Sequence, residues 1–149
     1  MEIIGQGGEC YVWRTKDGIF KEYHSKSEAK EAFYWQSELA KHDLAPEVYS
    51  RVKRIRINRE YENELSGWGY YTEEAETFSE EEIDLYNENY ISKPETDDVD
   101  NMVMALFNVE YTDFHLANYG YVQRNGRKVL VILDTTGRSF EPLEEMEAA

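Results

Sequence analysis

A chain of 149 residues can bury a core without disulfides or a structural metal, as one domain or as two small lobes sharing a cleft. Its 31 acidic against 16 basic residues give a net charge of −15, which sets it against nucleic-acid backbones and anionic membrane surfaces. The single cysteine excludes an intrachain disulfide, and with only three His it makes a Cys/His zinc site untenable.

No apolar run approaches the length needed to span a bilayer, and the first residues (MEIIGQGG) lack a leader pattern, so a cytoplasmic location is expected. Twelve Tyr, three Trp and six Phe imply a packed globular protein rather than a disordered acidic chain. The charge is uneven. Lys93 is the only basic residue between Tyr61 and Asp100, whereas Arg51 to Arg59 (RVKRIRINR) is a basic strip. The acid serves solubility, or it attracts a basic protein partner or mimics DNA charge.

In chain order, Ile3-Ile4 enters a glycine-rich loop, Gly5-Gln6-Gly7-Gly8. Glu9 to Arg14 alternates as a strand, Asp17-Gly18 marks a hairpin, and Ile19 to Tyr23 is the next strand, carrying Lys21. Ser25-Lys26-Ser27-Glu28 is a capping box opening a helix to about His42, with Ala29, Ala32, Phe33, Trp35 and Leu39 at helical spacing. Glu28, Glu31 and Glu38 lie on or near one stripe of it. Pro46 closes the helix region, because the residue before proline is pushed out of helical geometry.

Val48 to Ile57 reads as a strand with one basic face, Arg59 to Glu64 as a polar connection, and Trp68 to Thr72 as the next strand. Glu73-Glu74-Ala75 reads as an extended linker, and Ser79-Glu80-Glu81-Glu82 caps a short helix to about Tyr90. After the break at Lys93-Pro94, Val99, Met102, Val103, Leu106 and Phe107 repeat as the apolar stripe of an amphipathic helix. A loop through Asp113, His115 and Asn118 leads to a hairpin turning at Asn125-Gly126, whose apolar strand Val129 to Leu133 delivers Asp134. The acidic tail EPLEEMEAA frays or forms one helical turn. This order is not doubly wound. It predicts an α+β fold with a sheet-rich lobe over residues 1–75 and a helical lobe over 76–149 of one domain.

Asp113, Asn118 and Asp134 are oxygen ligands brought near one another by one loop and one hairpin, a set that suits a hard cation such as Mg²⁺. The glycines lie between two strands, which argues against a dinucleotide fingerprint or a Walker loop, both of which feed a helix. A glycine hairpin can lie over phosphates because its backbone N–H groups approach them closely, though an ordinary tight hairpin uses the same residues. Taken singly, Asp113 could cap a turn, Asn118 could end a helix and Asp134 could start the Thr135-Thr136-Gly137 turn.

Gly5-x-Gly7-x-x-Cys10-x-Val12, then Lys21, Glu31, Asp113-x-His115-x-x-Asn118 and Asp134 stand in an order that resembles the protein-kinase-like superfamily. The likeness is to its atypical branch, the RIO-type and aminoglycoside-phosphotransferase-like proteins, and to small phage-encoded Ser/Thr kinases. The resemblance implies a minimal bilobal kinase-like fold: a five-stranded antiparallel sheet with one helix, and a truncated helical lobe with a β-hairpin. It implies ATP and Mg²⁺ as cofactors, Asp113 as the catalytic base or the acid that positions the accepting hydroxyl, and Asn118 and Asp134 on the metal. Gly5, Gly7, Gly8 and Val12 would lie over the nucleotide, and Lys21 would touch its phosphates. Glu31 would fix Lys21, with Glu38 or Glu28 as alternatives, and the backbone of Glu73 to Ala75 would meet adenine. His115 would pack or hydrogen-bond in the loop, and Cys10 would be structural.

The likeness has gaps. Little chain follows Asp134, so the usual peptide-binding subdomain is missing. Thr135-Thr136-Gly137 replaces the usual Phe-Gly, and Thr112 stands where an Arg is common. Two functions are therefore expected to compete: a minimal protein Ser/Thr kinase with a protein substrate, or a kinase-shaped binding protein that takes a basic partner on its acidic surface. Transfer of a different group, or to a small molecule, is a third. Met102, Met104 and Phe107 are candidates for a homodimer face.

Overall fold

The computed structural model describes residues 2–6, 10–59, 62–109, 115–135 and 140–142. The first three strands, β1 (Glu2–Gln6), β2 (Cys10–Thr15) and β3 (Gly18–Tyr23), form a meander. The β2–β3 hairpin turns at Gly18, whose φ of +127° is open to glycine alone at little cost. Helix α1 (Lys26–Ala40) begins at Ser25, whose side chain accepts the Glu28 N–H at 3.1 Å. Strands β4 (Lys53–Arg59) and β5 (Glu62–Thr72) complete an antiparallel sheet in the order β1-β2-β3-β5-β4.

β4 and β5 differ from expectation. The strand expected from Val48 begins at Lys53, after a single bridge from Val48 to Thr72 and an offset in which Ser50 Oγ accepts the Tyr71 N–H. The connection expected over Arg59 to Glu64 is mostly strand, because β4 and β5 pair from Lys53↔Gly69 out to Arg59↔Glu62. Polar side chains on a two-stranded extension read as loop when the partner strand is unknown.

The second half contains β6 (Glu76–Thr77), α2 (Glu80–Glu88), α3 (Pro94–Leu106), β7 (Phe107–Val109), a 3-10 turn (Leu116–Asn118), β8 (Tyr119–Arg124), β9 (Arg127–Ile132) and β10 (Phe140–Pro142). Ser79 caps α2 through the Glu82 N–H, and Pro94 occupies the first turn of α3, where a missing N–H costs nothing. Asn125 and Gly126, with φ of 53° and 77°, make the tight β8–β9 turn. β6 joins that hairpin as a third strand, and β10 pairs with β7. The sequence pattern predicts neither pairing. The tail expected to fray or coil contributes Glu141 and Pro142 to β10, and its remainder, 143–149, lies outside the described residues.

On α3 the buried face is Thr96, Val99, Asp100 and Val103, so Met102, expected on the apolar stripe, is 52% exposed. Phe107 has left the helix and is buried with Leu39, Leu44, Val103, Tyr119 and Ile132 in the core between α1, α3 and the hairpin. That burial removes it from the expected homodimer face, where Met102 and Met104 stay exposed. A second cluster, Tyr23, Ala29, Ala32 and Tyr70, seats α1 on the sheet. No described helix is long and apolar enough to cross a membrane.

The two halves are bound by short, specific contacts. The Ile132 N–H donates to Leu44 O at 2.9 Å, and buried Thr135 Oγ1 donates to Ala32 O at 3.0 Å. Gly120 lets residues 75 and 76 approach β8, since a Cβ there would lie 2.9 Å from Glu76 O and 3.2 Å from Ala75 Cβ. Gly120→Ala is expected to destabilise the fold by about 1–3 kcal/mol through overpacking. Urea unfolding measures it, and an unchanged midpoint would refute the close approach.

Candidate functional site

Strand alternation puts Ile19, Lys21 and Tyr23 on the α1 face of the sheet, and register places Lys21 between Val12 of β2 and Tyr70 of β5. Lys21 is only 5% exposed. Its ammonium donates to Gln36 Oε1 at 3.2 Å and to the carbonyl oxygen of Leu133 at the end of β9. Burial lowers the Lys21 pKa, while Cys10 and Asp134 act the other way. The carboxyl group of Asp134 thus lies within the field of this lysine.

The two residues expected to hold a metal, Asn118 and Asp134, lie at one end of the hairpin. Tyr119 pairs with Ile132, and one step outward the Leu133 N–H donates to Asn118 O at 2.7 Å. Asn118 and Asp134 therefore flank the same end of the β8–β9 ladder, with Lys21 entering from the sheet. His115 receives the Ala117 N–H on Nδ1 at 3.3 Å, and its Nε2 lies 2.9 Å from the Asn87 side-chain amide of α2. It is thus hydrogen-bonded within its loop, as expected. Asp113, Gly7 and Gly8 lie outside the described residues. Gly5 pairs with Val12, and a Cβ on it would make only ordinary contact at 3.4 Å.

The helix partner of Lys21 is Gln36, not Glu31. Glu31 is exposed, Glu38 pairs with Lys41 at 2.8 Å, and Glu28 stands at the edge of the buried face. The helix buries Ala29, Ala32, Gln36 and Leu39. At 100° per residue Gln36 falls inside that arc, whereas Glu31 and Glu38 fall well outside it. A polar residue in phase with Ala29, Ala32 and Leu39 is the signal in the sequence that points to Gln36.

Gln36 is fully buried, and both ends of its amide are used. Its Oε1 accepts from Lys21 and from Tyr70 Oη at 2.7 Å. Its amide donates to Pro46 O at 2.9 Å and to Thr72 Oγ1 at 2.7 Å, and Thr72 passes its own proton to Glu47 O at 3.0 Å. Tyr23 completes the set with its hydroxyl 3.2 Å from that of Tyr70. Burial raises both phenols, so they remain protonated donors. Pro46 O can only accept, and this fixes the amide orientation. A glutamate at position 36 would turn a carboxylate oxygen toward that carbonyl. The site therefore holds Lys21 with a neutral acceptor.

Of the expected adenine-contacting linker, Glu73 is already engaged. Its N–H donates to Glu47 O at 2.9 Å, and its carboxylate takes Arg124 Nη1 and Nη2 of β8, each at 2.7 Å. Arg124 also reaches Asp43 at 3.3 Å. Hydrogen bonding from Arg124 holds the Glu73 carboxyl below its usual value. Ala75 is half-buried against Gly120.

Among the described residues no group of three or more His, Cys, Asp or Glu could hold a metal. Asn118 and Asp134 would offer a cation at most two oxygen-bearing side chains. That suits Mg²⁺, which keeps waters and substrate oxygens in most of its positions, better than it suits Zn²⁺ or Ca²⁺.

Gln36→Leu strips acceptors from Lys21 and Tyr70 and donors from Pro46 and Thr72. It is expected to cost about 2–4 kcal/mol in chemical denaturation, and a neutral result would mean that the network does not hold α1. Arg124→Ala is expected to cost about 1–2 kcal/mol near neutral pH. Because the folded Glu73 pKa is depressed, the contribution is present above the ordinary carboxylate range and lost as pH falls through the folded value. The gap in Tm between wild type and variant should therefore shrink on acidification, and a gap that widens would contradict the assignment.

Compared with family models, curated proteins and solved structures, the chain matches none.

Proposed function

We propose that the chain is an ATP- and Mg²⁺-dependent phosphotransferase, a minimal protein Ser/Thr kinase of the protein-kinase-like type. One observation supports the reading: Lys21 crosses from the third strand of a five-stranded sheet to the end of a hairpin that Asn118 precedes and Asp134 follows. Phosphoryl transfer asks little covalent chemistry of a protein and a great deal of charge placement, and this junction brings one cation to the hairpin end that Asn118 and Asp134 flank.

In this reading Asn118 and Asp134 hold Mg²⁺, which when bound neutralises charge on the phosphates. Lys21 exchanges the Leu133 carbonyl for a phosphate oxygen, and Gln36 keeps its stem in place as it does so. Val12, beside Lys21 in the sheet, covers the nucleotide together with the glycine loop. Asp113 orients the accepting hydroxyl and takes its proton. Glu73 keeps the linker against β8 through Arg124.

A second reading has its own support. Lys21 is bound by an amide where the resemblance implies a carboxylate, and its ammonium is already satisfied within the protein. A chain so arranged could keep the shape and serve as a binding protein for a basic partner through its acidic surface.

Incubation with γ-labelled ATP, Mg²⁺ and a generic protein substrate separates the two. Asp113→Ala and Asp134→Ala should each abolish transfer while the circular dichroism spectrum is retained, and full activity in both would remove the phosphotransferase reading. Wild type should also gain Tm with ATP and Mg²⁺ in a way that Asp134→Ala does not, because a ligand stabilises only the state that binds it. No turnover and no thermal shift would leave the binding protein.

A further inference from the structure

The five-stranded sheet has two edges, β1 and β4. An edge strand presents unpaired backbone N–H and C=O groups, and proteins usually blunt it with charge, proline or a bulge. β1 presents exposed Ile3 and Ile4 beside one acid, Glu2. β4 and its approach carry exposed Arg51, Lys53, Arg54 and Arg56. Both edges carry a break in register, at Ile3/Gly5 in β1 and at Ile57/Arg59 in β4, so the edges differ in charge alone, and on β4 arginine outnumbers the lysine that such blunting favours.

Arg14, Lys41, Lys93, Arg124 and Lys128 each meet a carboxylate within 4 Å. Arg51, Lys53 and Arg56 meet none among the described residues, in a chain where acids outnumber bases 31 to 16. Lys16, Lys26, Lys30 and Arg127 also lack a carboxylate partner among the described residues, but they sit on other elements, and what sets the strip apart is that its cations are gathered along one sheet edge. Two of the strip's side chains are laid out by aromatic rings: Lys53 Nζ sits 5.2 Å from the Tyr71 ring centre, and Arg54 lies 5.6 Å from that of Trp68. Alternation places Lys53 and Ile55 on one face of the strand, and Arg54 and Arg56 on the other. Where β4 begins, an open cleft of about 450 Å³ is lined by Tyr49, Lys53, Ile55 and Tyr71, with Tyr49 62% exposed.

We propose that the β4 edge receives an extended acidic segment of another protein as an added strand. Main-chain hydrogen bonds to the edge supply the pairing, and alternate carboxylates meet Arg56 on one face and Lys53 on the other. An apolar or aromatic side chain of the segment fills the cleft between Tyr49 and Tyr71. A nucleic acid offers no alternating N–H and C=O groups to an edge, and the rest of the surface repels a long polyanion. The site goes beyond the phosphotransferase reading and does not depend on it.

The test uses the full chain and a short fluorescein-labelled peptide that alternates Glu with Val and contains one Tyr, followed by fluorescence anisotropy at low salt. Binding is expected, and added salt should weaken it. Lys53→Glu with Arg56→Glu should weaken it about tenfold, and Lys53→Gln with Arg56→Gln about threefold. N-methylation of alternate peptide residues should weaken it comparably, because it removes backbone donors. Should the charge-reversed form lose its circular dichroism spectrum, the Gln form decides. The proposal is overturned by absence of binding at low salt, by equal binding to the folded variants, or by indifference to N-methylation. Tighter binding of a labelled oligothymidine would make the strip a nucleic-acid surface instead. Self-association that these substitutions abolish, seen in sedimentation, would assign the edge to a second copy of the chain.

Discussion

A buried ammonium must be surrounded by acceptors or it drives its own region open. Lys21 sets that condition for the whole molecule. Its two acceptors come from opposite directions: the side chain of Gln36 on α1, and the backbone of Leu133 at the far end of the chain's last long hairpin. Meeting the condition fixes the rotation of α1 on the sheet and the height at which β9 ends. The residues after it, Asp134 and Thr135, then fall beneath α1, where Thr135 donates to Ala32 O.

The remaining contacts between the halves reinforce this junction. Arg124 grips Glu73 with both of its terminal nitrogens, and the Ile132 N–H is bonded to Leu44 O. β6 also pairs with β8 through Tyr121 and Gly120. A molecule laced in this way does not open by a free hinge. Movement of one half over the other has to exchange specific hydrogen bonds, and the exchange most relevant to a ligand is at Lys21. The choice of Gln over Glu at position 36 has its origin in the same lacing, since the Pro46 carbonyl demands a donor.

The distribution of charge is a second level of organisation. Among the described residues much of the acid is exposed to water, as at Glu80, Glu81, Asp84 and Glu88 of α2. Several basic residues are used internally as ties. The β4 strip differs in arrangement, since Arg51, Lys53 and Arg56 are gathered along one edge and meet no carboxylate among the described residues.

Much of the local structure was legible in the residues. Ser25 and Ser79 cap the helices that their capping boxes announced, Gly18 and Asn125-Gly126 turn the hairpins, and Pro94 opens α3. Each of these depends on groups within a few positions, so the chain carries the full instruction. That Asn118 and Asp134 flank one end of the β8–β9 hairpin was also readable, because a hairpin's register follows from its turn. What tertiary structure alone decided has partners far away in sequence. Gln36 took the place expected of Glu31 because Pro46, Tyr70 and Thr72 surround it. Met102 turned to water because Asp100 and Thr96 found buried places instead. The β6–β8 and β7–β10 pairings involve segments too short to declare themselves. A side chain's periodicity says which face it shares, but only the packed neighbours determine which face is buried and which polar group that burial can satisfy.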